Sequence, residues 1–192
     1  MSFQKNVKAS PLRDNTRHIT THDPTTGKAI VHSSTSGNWS SFDDGKLGFN
    51  VIYTTSKFPP DINGDEDIKA HEKVMASDKL GLVNPGGTVC RTVDFAPGYE
   101  CMMHRTQSLD YGIIIEGSVE MILDSGEVKL MHRGDVAIQR ATMHAWRNPS
   151  ETEWARVIFI LQDCEKVEIG GKELGEDLGR GTSGLPPSGN DI

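Results

Sequence analysis

The sequence predicts an all-β protein built around a small barrel, and two features of its central part indicate this. Short segments rich in Val and Ile recur between residues 88 and 163, with no helix of useful length among them. Sequences typical of tight turns separate these segments, namely Pro97-Gly98, Glu116-Gly117, Asp124-Ser125-Gly126 and Arg133-Gly134-Asp135. Closely spaced strands with turns between them favour a sandwich or a barrel over a fold of alternating strands and helices.

The first 80 residues predict a β-extension and an acidic loop that pack on the barrel. HITTHD and KAIVHSS flank the turn sequence PTTG, which predicts a hairpin, and LGFNVIYTTS alternates as a strand does. The segment 58–75, FPPDINGDEDIKAHEKVM, is long and acidic, yet it carries Phe58, Ile62, Ile68 and Val74. We expect it to lie across the mouth of the barrel, either on its own subunit or on a partner, because long loops in compact domains commonly cover a site. A passive surface insertion is the alternative.

Residues 81–165 form the predicted barrel, and residues 166–192 form a tail. From Gly170 onward the chain is rich in Gly, Ser and Pro. This composition is typical of flexible, irregular segments, so we expect a poorly structured tail.

Composition restricts the partners. The chain has 192 residues, which fits one domain with decorated ends, and a net charge of -7, which argues against binding to nucleic acid or to an anionic membrane. The N-terminal residues lack the apolar stretch of a secretory signal, and the apolar run VIFIL is too short to span a bilayer. Three irregularly spaced cysteines do not predict a disulfide framework. These observations predict a cytoplasmic protein.

Two motifs stand out in the barrel region. The first motif contains Gly98, His104, Thr106, Asp110 and Gly117, which are separated by five, one, three and six residues in turn. The second motif runs from Gly134 to His144, and Asn148 follows four residues later. They resemble the cupin motifs G-x5-H-x-H-x3/4-E-x6-G and G-x5-P-x-G-x2-H-x3-N. The resemblance covers residues 86 to 162.

The strings HRTQSLDYG and GDVAIQRATMHAW are similar to a branch of single-domain bacterial and fungal cupins with MHRT-SLDYG and GDVVVQRGTNHAW-like motifs. The resemblance implies a double-stranded β-helix, or jelly-roll, barrel that pairs as a homodimer. Some fungal members of this branch belong to secondary-metabolite pathways, which implies the same context here.

His104 and His144 are the leading candidates for the site. In a strand, residues of equal parity share a face, so His104 and Thr106 point the same way, and His144 on a later strand can meet His104 inside the barrel. We expect the two imidazoles to lie within about 6 Å of each other. Together with Asp110 they fit either a metal site or an acid–base site.

The departures from the cupin pattern leave the cofactor open between none and a divalent metal. Thr106 stands where the pattern has its second histidine, Asp110 replaces a glutamate, and Gln139 stands in place of the proline. If Fe, Mn or Zn is bound, the resemblance implies His104, Asp110 and His144 as its ligands. The loss of one imidazole predicts weak or substoichiometric metal.

The sequence therefore predicts an enzyme that decarboxylates, dehydrates or isomerises a small carbonyl or phenolic molecule without oxidation. His104 and His144 are the expected acid and base, and Asp110 orients one imidazole or takes the proton itself. The expected substrate-binding residues are Met102, Thr106, Gln139, Trp146 and Phe159. A metal-dependent oxygenase and a non-catalytic small-molecule binder are the alternatives.

Overall fold

A computed structural model describes residues 3–190 of the chain. Within that range the strands are β1 (Gln4–Lys5), β2 (Thr16–His22), β3 (Ala29–Ser36), β4 (Trp39–Phe42), β5 (Leu47–Thr55), β6 (Thr88–Phe95), β7 (Ser108–Glu116), β8 (Ser118–Leu123), β9 (Val128–His132), β10 (Val136–Arg140), β11 (His144–Arg147), β12 (Ala155–Asp163), β13 (Val167–Ile169) and β14 (Lys172–Leu174). The α-helix α1 spans Glu66–Ala76, and 3₁₀ turns lie at Asp43–Gly45 and Asn63–Asp65. No helix in the described range is long and apolar enough to cross a membrane.

Two antiparallel sheets build the barrel, which confirms the predicted all-β class. Seven strands pair in the order β1-β4-β5-β6-β12-β7-β10, and three pair in the order β11-β8-β9. Side chains from both sheets share one core, with Val93, Phe95 and Val157 on the larger sheet and Val119 and Trp146 on the smaller. Burying these apolar faces against each other is what holds the two sheets together.

The barrel sheet begins earlier than the predicted boundary at residue 81. Strand β5 pairs with β6 along its length, from Leu47 opposite Phe95 to Thr55 opposite Thr88. Its alternating residues supply core side chains, so it belongs to the barrel rather than to an added extension. Strands β2 and β3 form the predicted hairpin.

A buried ion pair fixes the N-terminal segment on the larger sheet. Arg156 on β12 donates to both carboxylate oxygens of Asp94 on β6, at 2.6 Å and 2.7 Å. A third nitrogen of Arg156 donates to the backbone oxygen of Arg13 at 2.7 Å, and the guanidinium lies 5.2 Å from the ring centroid of Trp39. The segment around Arg13 therefore contacts the larger sheet through a hydrogen bond to Arg156.

The acidic segment 58–75 packs against β5 through helix α1. The Tyr53 hydroxyl donates to Asp67 at 2.6 Å, and the backbone N–H of Thr54 donates to Nδ1 of His71 at 3.1 Å. Phe58 and Ile62 lie on the surface, with 82% and 64% of their area exposed. None of residues 58–75 lines the cavity inside the barrel. The segment therefore does not close the barrel mouth of its own subunit, and its closure of a partner subunit's mouth stays a prediction.

The C-terminal tail contains the short hairpin β13–β14, which was not predicted, and the irregular residues that follow it are bonded to the barrel rather than loosely attached. Arg105 and Asp177 exchange two backbone hydrogen bonds, of 2.7 Å and 2.9 Å. The N–H of Val83 donates to the Ser188 hydroxyl at 3.0 Å. Residue 81 must be glycine, because a Cβ there would lie 2.8 Å from the backbone of Ser188. The composition of the tail predicted a flexible segment. The hydrogen bonds at Asp177 and Ser188 instead hold it along one path on the barrel.

Candidate active site

The barrel encloses a largely apolar cavity between its two sheets. Its apolar wall includes Leu47, Phe49, Val93, Phe95, Trp146 and Phe159. Polar groups enter it at four positions, which are Arg91, His104, Asp110 and His144. Leu82, together with Thr182 and Leu185 of the tail, completes the lining. A cavity with this composition suits a small organic molecule held by a few directed polar contacts.

Backbone pairing brings the two histidines together. His104 and His144 form an antiparallel bridge, with N–H to O distances of 2.8 Å and 2.9 Å. Their ring centroids lie 4.5 Å apart, within the separation expected from the sequence. The two motifs therefore meet at one point of the cavity wall.

Backbone carbonyls fix the tautomer of both rings. Nδ1 of His104 lies 2.9 Å from the oxygen of Met102, and Nδ1 of His144 lies 2.8 Å from the oxygen of Thr142. Because a carbonyl oxygen only accepts hydrogen bonds, each Nδ1 carries the proton and each Nε2 carries a lone pair. Each ring is thus held so that Nε2 is its free acceptor.

Both imidazoles are neutral at physiological pH. Burial and, to a smaller extent, the neighbouring His104 lower the pKa of His144 to about 3, although its hydrogen bond to the Thr142 oxygen acts in the opposite direction. Burial also lowers the pKa of His104, although its hydrogen bond to the Met102 oxygen acts in the opposite direction. At pH 7 the pair can accept hydrogen bonds from a ligand but cannot donate through Nε2.

Asp110 on β7 is the acidic group of the cavity. Its two carboxylate oxygens accept hydrogen bonds from the hydroxyls of Ser108, at 2.5 Å, and Thr106, at 3.3 Å. Burial raises the pKa of Asp110 to about 6, although these hydroxyls and the charge of Arg91 lower it. The expectation that Asp110 orients an imidazole is wrong, because its bonds go to hydroxyls and the imidazoles are oriented by carbonyls.

The three expected metal ligands do not fit a protein-held metal. Among residues 3–190 no group of three or more His, Cys, Asp or Glu side chains is arranged to hold an ion. The hydroxyl of Thr106, at the position of the missing imidazole, is directed to Asp110, whose oxygens already accept two hydrogen bonds. The donor set is therefore two imidazoles, one fewer than the three protein ligands of typical catalytic sites.

The structure places three of the five expected substrate-binding residues on the cavity wall. Met102, Trp146 and Phe159 line the cavity, and the rings of Trp146 and Phe159 pack with centroids 5.2 Å apart. Thr106 and Gln139 lie outside the lining. Thr106 is 1% exposed and bonds to Asp110, while Gln139 accepts a hydrogen bond from the Thr142 hydroxyl. We correct these two positions to supporting residues behind the wall.

Sequence reasoning missed Arg91. It lies on β6 with the parity of Val89, Val93 and Phe95, whose side chains are buried. A cation at an inward position of an apolar strand is unusual, because arginine is almost never fully buried unless it is paired. That alternation was the signal available in the sequence.

Known proteins give two kinds of similarity. No protein-family model matches the chain. It is 38% identical to phomopsin biosynthesis cluster protein D of Diaporthe leptostromiformis over 191 residues, covering 99% of this chain and 100% of that protein. It is 38% identical to the cupin-domain-containing oxidoreductase fogC of Aspergillus ruber over 165 residues, covering 85% and 79%. The structure of KdgF from Halomonas sp. aligns with a TM-score of 0.45 and 15% identity, covering 67% of this chain and 87% of that one.

Proposed function

This chain belongs to the cupin superfamily, and on that basis we propose that it is an enzyme of secondary metabolism that moves protons on a small organic molecule. The observation that carries the proposal is a set of three polar groups in one apolar cavity. Asp110 has a pKa near working pH, and two neutral imidazoles present acceptor nitrogens. General acid–base catalysis is most effective when the pKa of the catalytic group lies close to the pH of the medium.

The geometry assigns different roles from those expected for the histidines. Asp110 accepts a proton as a carboxylate and returns it as an acid. Because Nε2 of each ring carries no proton, one of the two imidazoles accepts the hydrogen bond of a substrate hydroxyl and orients it, and the other accepts from a second donor such as a water molecule. Isomerisation, dehydration and decarboxylation of a small carbonyl or phenolic compound all need such a transfer, and none needs an oxidant. The substrate class is thus a molecule with a hydroxyl group next to its reacting carbon.

Proton exchange with solvent tests this proposal even when the product is unidentified. The protein is incubated in D₂O with a panel of small hydroxylated carbonyl and phenolic compounds, and deuterium incorporation at carbon is followed by NMR. We expect Asp110→Asn to slow exchange by at least about 100-fold. Asp124→Asn removes the same charge from an exposed turn and is the matched control. Exchange that survives Asp110→Asn would contradict the assignment.

Oxidoreductase activity is the second candidate, and the name of the Aspergillus ruber relative favours it. Oxygen consumption with the same compounds separates the two candidates. Consumption that requires added Fe²⁺ and is lost after chelation would support the metal-dependent alternative. Binding without any turnover would support a non-catalytic binder.

Cytoplasmic location and pairing as a homodimer stay predictions. The small molecule is the partner that the cavity supports. Light scattering coupled to size-exclusion chromatography measures the oligomeric state directly, and an elution mass near 21.0 kDa would contradict the dimer.

A further inference from the structure

The cavity contains a buried cation that the proposed proton transfer does not use. Arg91 is 2% exposed, and its side chain shares the cavity wall with Val93 and Phe95. The guanidinium lies 5.3 Å from the ring centroid of Phe49. It therefore faces mostly apolar groups, an environment in which a positive charge is poorly solvated.

The hydrogen bonds of Arg91 leave part of its guanidinium unused. Nη2 donates to the backbone oxygens of Gly81, at 2.8 Å, and Leu82, at 2.6 Å. Nε is buried and has no hydrogen-bond partner within residues 3–190. These two carbonyls hold the group in one orientation but supply no negative charge.

A second buried arginine in the same sheet shows what is missing at Arg91. Arg156 is paired through two nitrogens with the carboxylate of Asp94, which is itself fully buried. Arg91 has no such ion pair in the described part of the chain; the carboxylate of Asp110 acts on it only at longer range. Burial lowers the pKa of Arg91 to about 10, so it still carries its charge at neutral pH.

We propose that Arg91 anchors a carboxylate of the substrate, so that the enzyme acts on a small carboxylic acid. This inference deepens the proposed function and rests on it. The unpartnered Nε–H of Arg91 can donate a charge-assisted hydrogen bond to a carboxylate oxygen, and a buried cation with no ion pair in the described part of the chain gains most from a ligand that brings a negative charge. A singly charged carboxylate suits the cavity better than a phosphate dianion, because Asp110 already places one acidic group there.

The anchor also gives the substrate a direction. With the carboxylate at Arg91, the rest of the molecule lies between the apolar wall and the imidazoles of His104 and His144. Nε2 of one imidazole then accepts the hydrogen bond of a hydroxyl group of the same molecule. A hydroxy acid satisfies both ends of the cavity, whereas a neutral phenol or ketone leaves the arginine without a counter-ion.

Propanoate and propanamide test the anchor, because they share shape and size and differ in charge. Each is titrated into the ¹⁵N-labelled protein, and the indole resonance of Trp146 and the Nε–H resonance of Arg91 are followed. We expect propanoate to bind at least tenfold more tightly than propanamide. We expect Arg91→Gln to remove this preference and Arg140→Gln, at an exposed position on β10, to retain it.

Two further comparisons keep the test decisive. Arg91→Lys keeps the charge but lacks the Nε–H donor, so it should show an intermediate preference. If Arg91→Gln does not fold, Arg91→Lys and the wild-type comparison still decide. Equal binding of the two probes to the wild-type protein overturns the anchor, even where Asp110-dependent proton exchange is observed. A preference for propanoate with no proton exchange on any compound overturns the proposed function and leaves the anchor intact.

Discussion

Two segments beside the barrel, residues 58–76 and residues 175–190, have roles opposite to those that their sequences predict. The first contains helix α1 and is fixed to β5 through His71 and Asp67, yet it contributes nothing to the cavity wall. The second is rich in Gly and Pro, yet it contributes Thr182 and Leu185 to that wall. The apolar residues of a segment therefore indicate that it packs against the rest of the protein, but they do not indicate which surface it covers.

The difference lies in the kind of anchor each segment carries. The apolar residue Ile68 and the buried imidazole of His71 hold α1 on the nearest sheet surface. The tail instead uses backbone pairing at Asp177 and side-chain bonds at Ser188 and Asn190, which reach groups at the rim of the barrel. Such polar anchors are specific for position and leave no periodic pattern in the sequence.

The volume of the cavity limits the size of the ligand that it can hold with the tail in place. With the tail in place the cavity measures about 60 Å³. That space holds a few water molecules, since one water needs about 10–15 Å³ on this scale, and sites for drug-sized ligands measure about 300–1,000 Å³. A larger substrate therefore requires part of the lining to move, and Thr182 and Leu185 of the tail belong to that lining.

Deletion of the tail gives the largest expected effect. Removal of residues 176–192 exposes the apolar wall, so we expect strong binding of an apolar dye and a loss of propanoate affinity of at least tenfold. Deletion of residues 61–67 should leave propanoate affinity unchanged, because none of them lines the cavity. Leu185→Ala is the milder variant if the truncated chain does not fold. A larger loss of propanoate affinity in the deletion of residues 61–67 than in the deletion of residues 176–192 would indicate that the acidic segment covers the cavity.

Replacement of His71 by Ala should separate stability from binding. It leaves the backbone N–H of Thr54 without its acceptor and removes the contact with Arg17 at 2.9 Å. An unsatisfied buried donor costs about 1–3 kcal/mol, which corresponds to a fall in Tm of roughly 2–12 °C for a chain of this size. Propanoate affinity should not change. His22→Ala, at an exposed position on β2, is the control for thermal unfolding.

The sequence predicted the barrel because its strands alternate and its turns are explicit. It also predicted the meeting of His104 and His144, since the two motifs fix both residues on inward faces of paired segments. The orientation of the imidazoles by the carbonyls of Met102 and Thr142 was not predictable, because every residue has a carbonyl and only the backbone path selects these two. The absence of an ion pair at Arg91 within residues 3–190 is likewise a property of the fold and not of a motif.

Loss of the Ser188 hydroxyl should loosen the tail without unfolding the barrel. Ser188→Ala removes the acceptor of the Val83 N–H and the donor to Glu176, at 3.0 Å and 2.5 Å. Each such bond contributes about 0.5–1.5 kcal/mol. We expect faster hydrogen exchange in residues 176–190 with little change in Tm, measured by mass spectrometry. Ser183→Ala, at an exposed position of the same tail, should exchange like the wild-type protein; equal exchange in both variants would contradict the anchor.

Mild acid gives the smallest expected effect and acts on α1 rather than on the tail. Burial lowers the pKa of His71 to about 4, with Arg17 acting in the same direction. As the pH falls below 6.5, His71 therefore becomes protonated in the unfolded chain but stays neutral in the folded chain. Stability due to His71 is complete above pH 6.5 and is lost as the pH falls towards 4. His104 and His144 act in the same direction over this range, because burial lowers their pKa as well. The contribution of His71 between pH 7.5 and 5.5, a fall in Tm of roughly 1–3 °C, is therefore read from the difference between the wild-type protein and His71→Gln. The raised pKa of Asp110 acts in the opposite direction below pH 6, because the folded chain then binds the additional proton.

Hydrogen exchange in the tail, corrected for the intrinsic effect of pH, should not follow the titration of His71. A tail that opens together with α1 would show that the two segments are coupled.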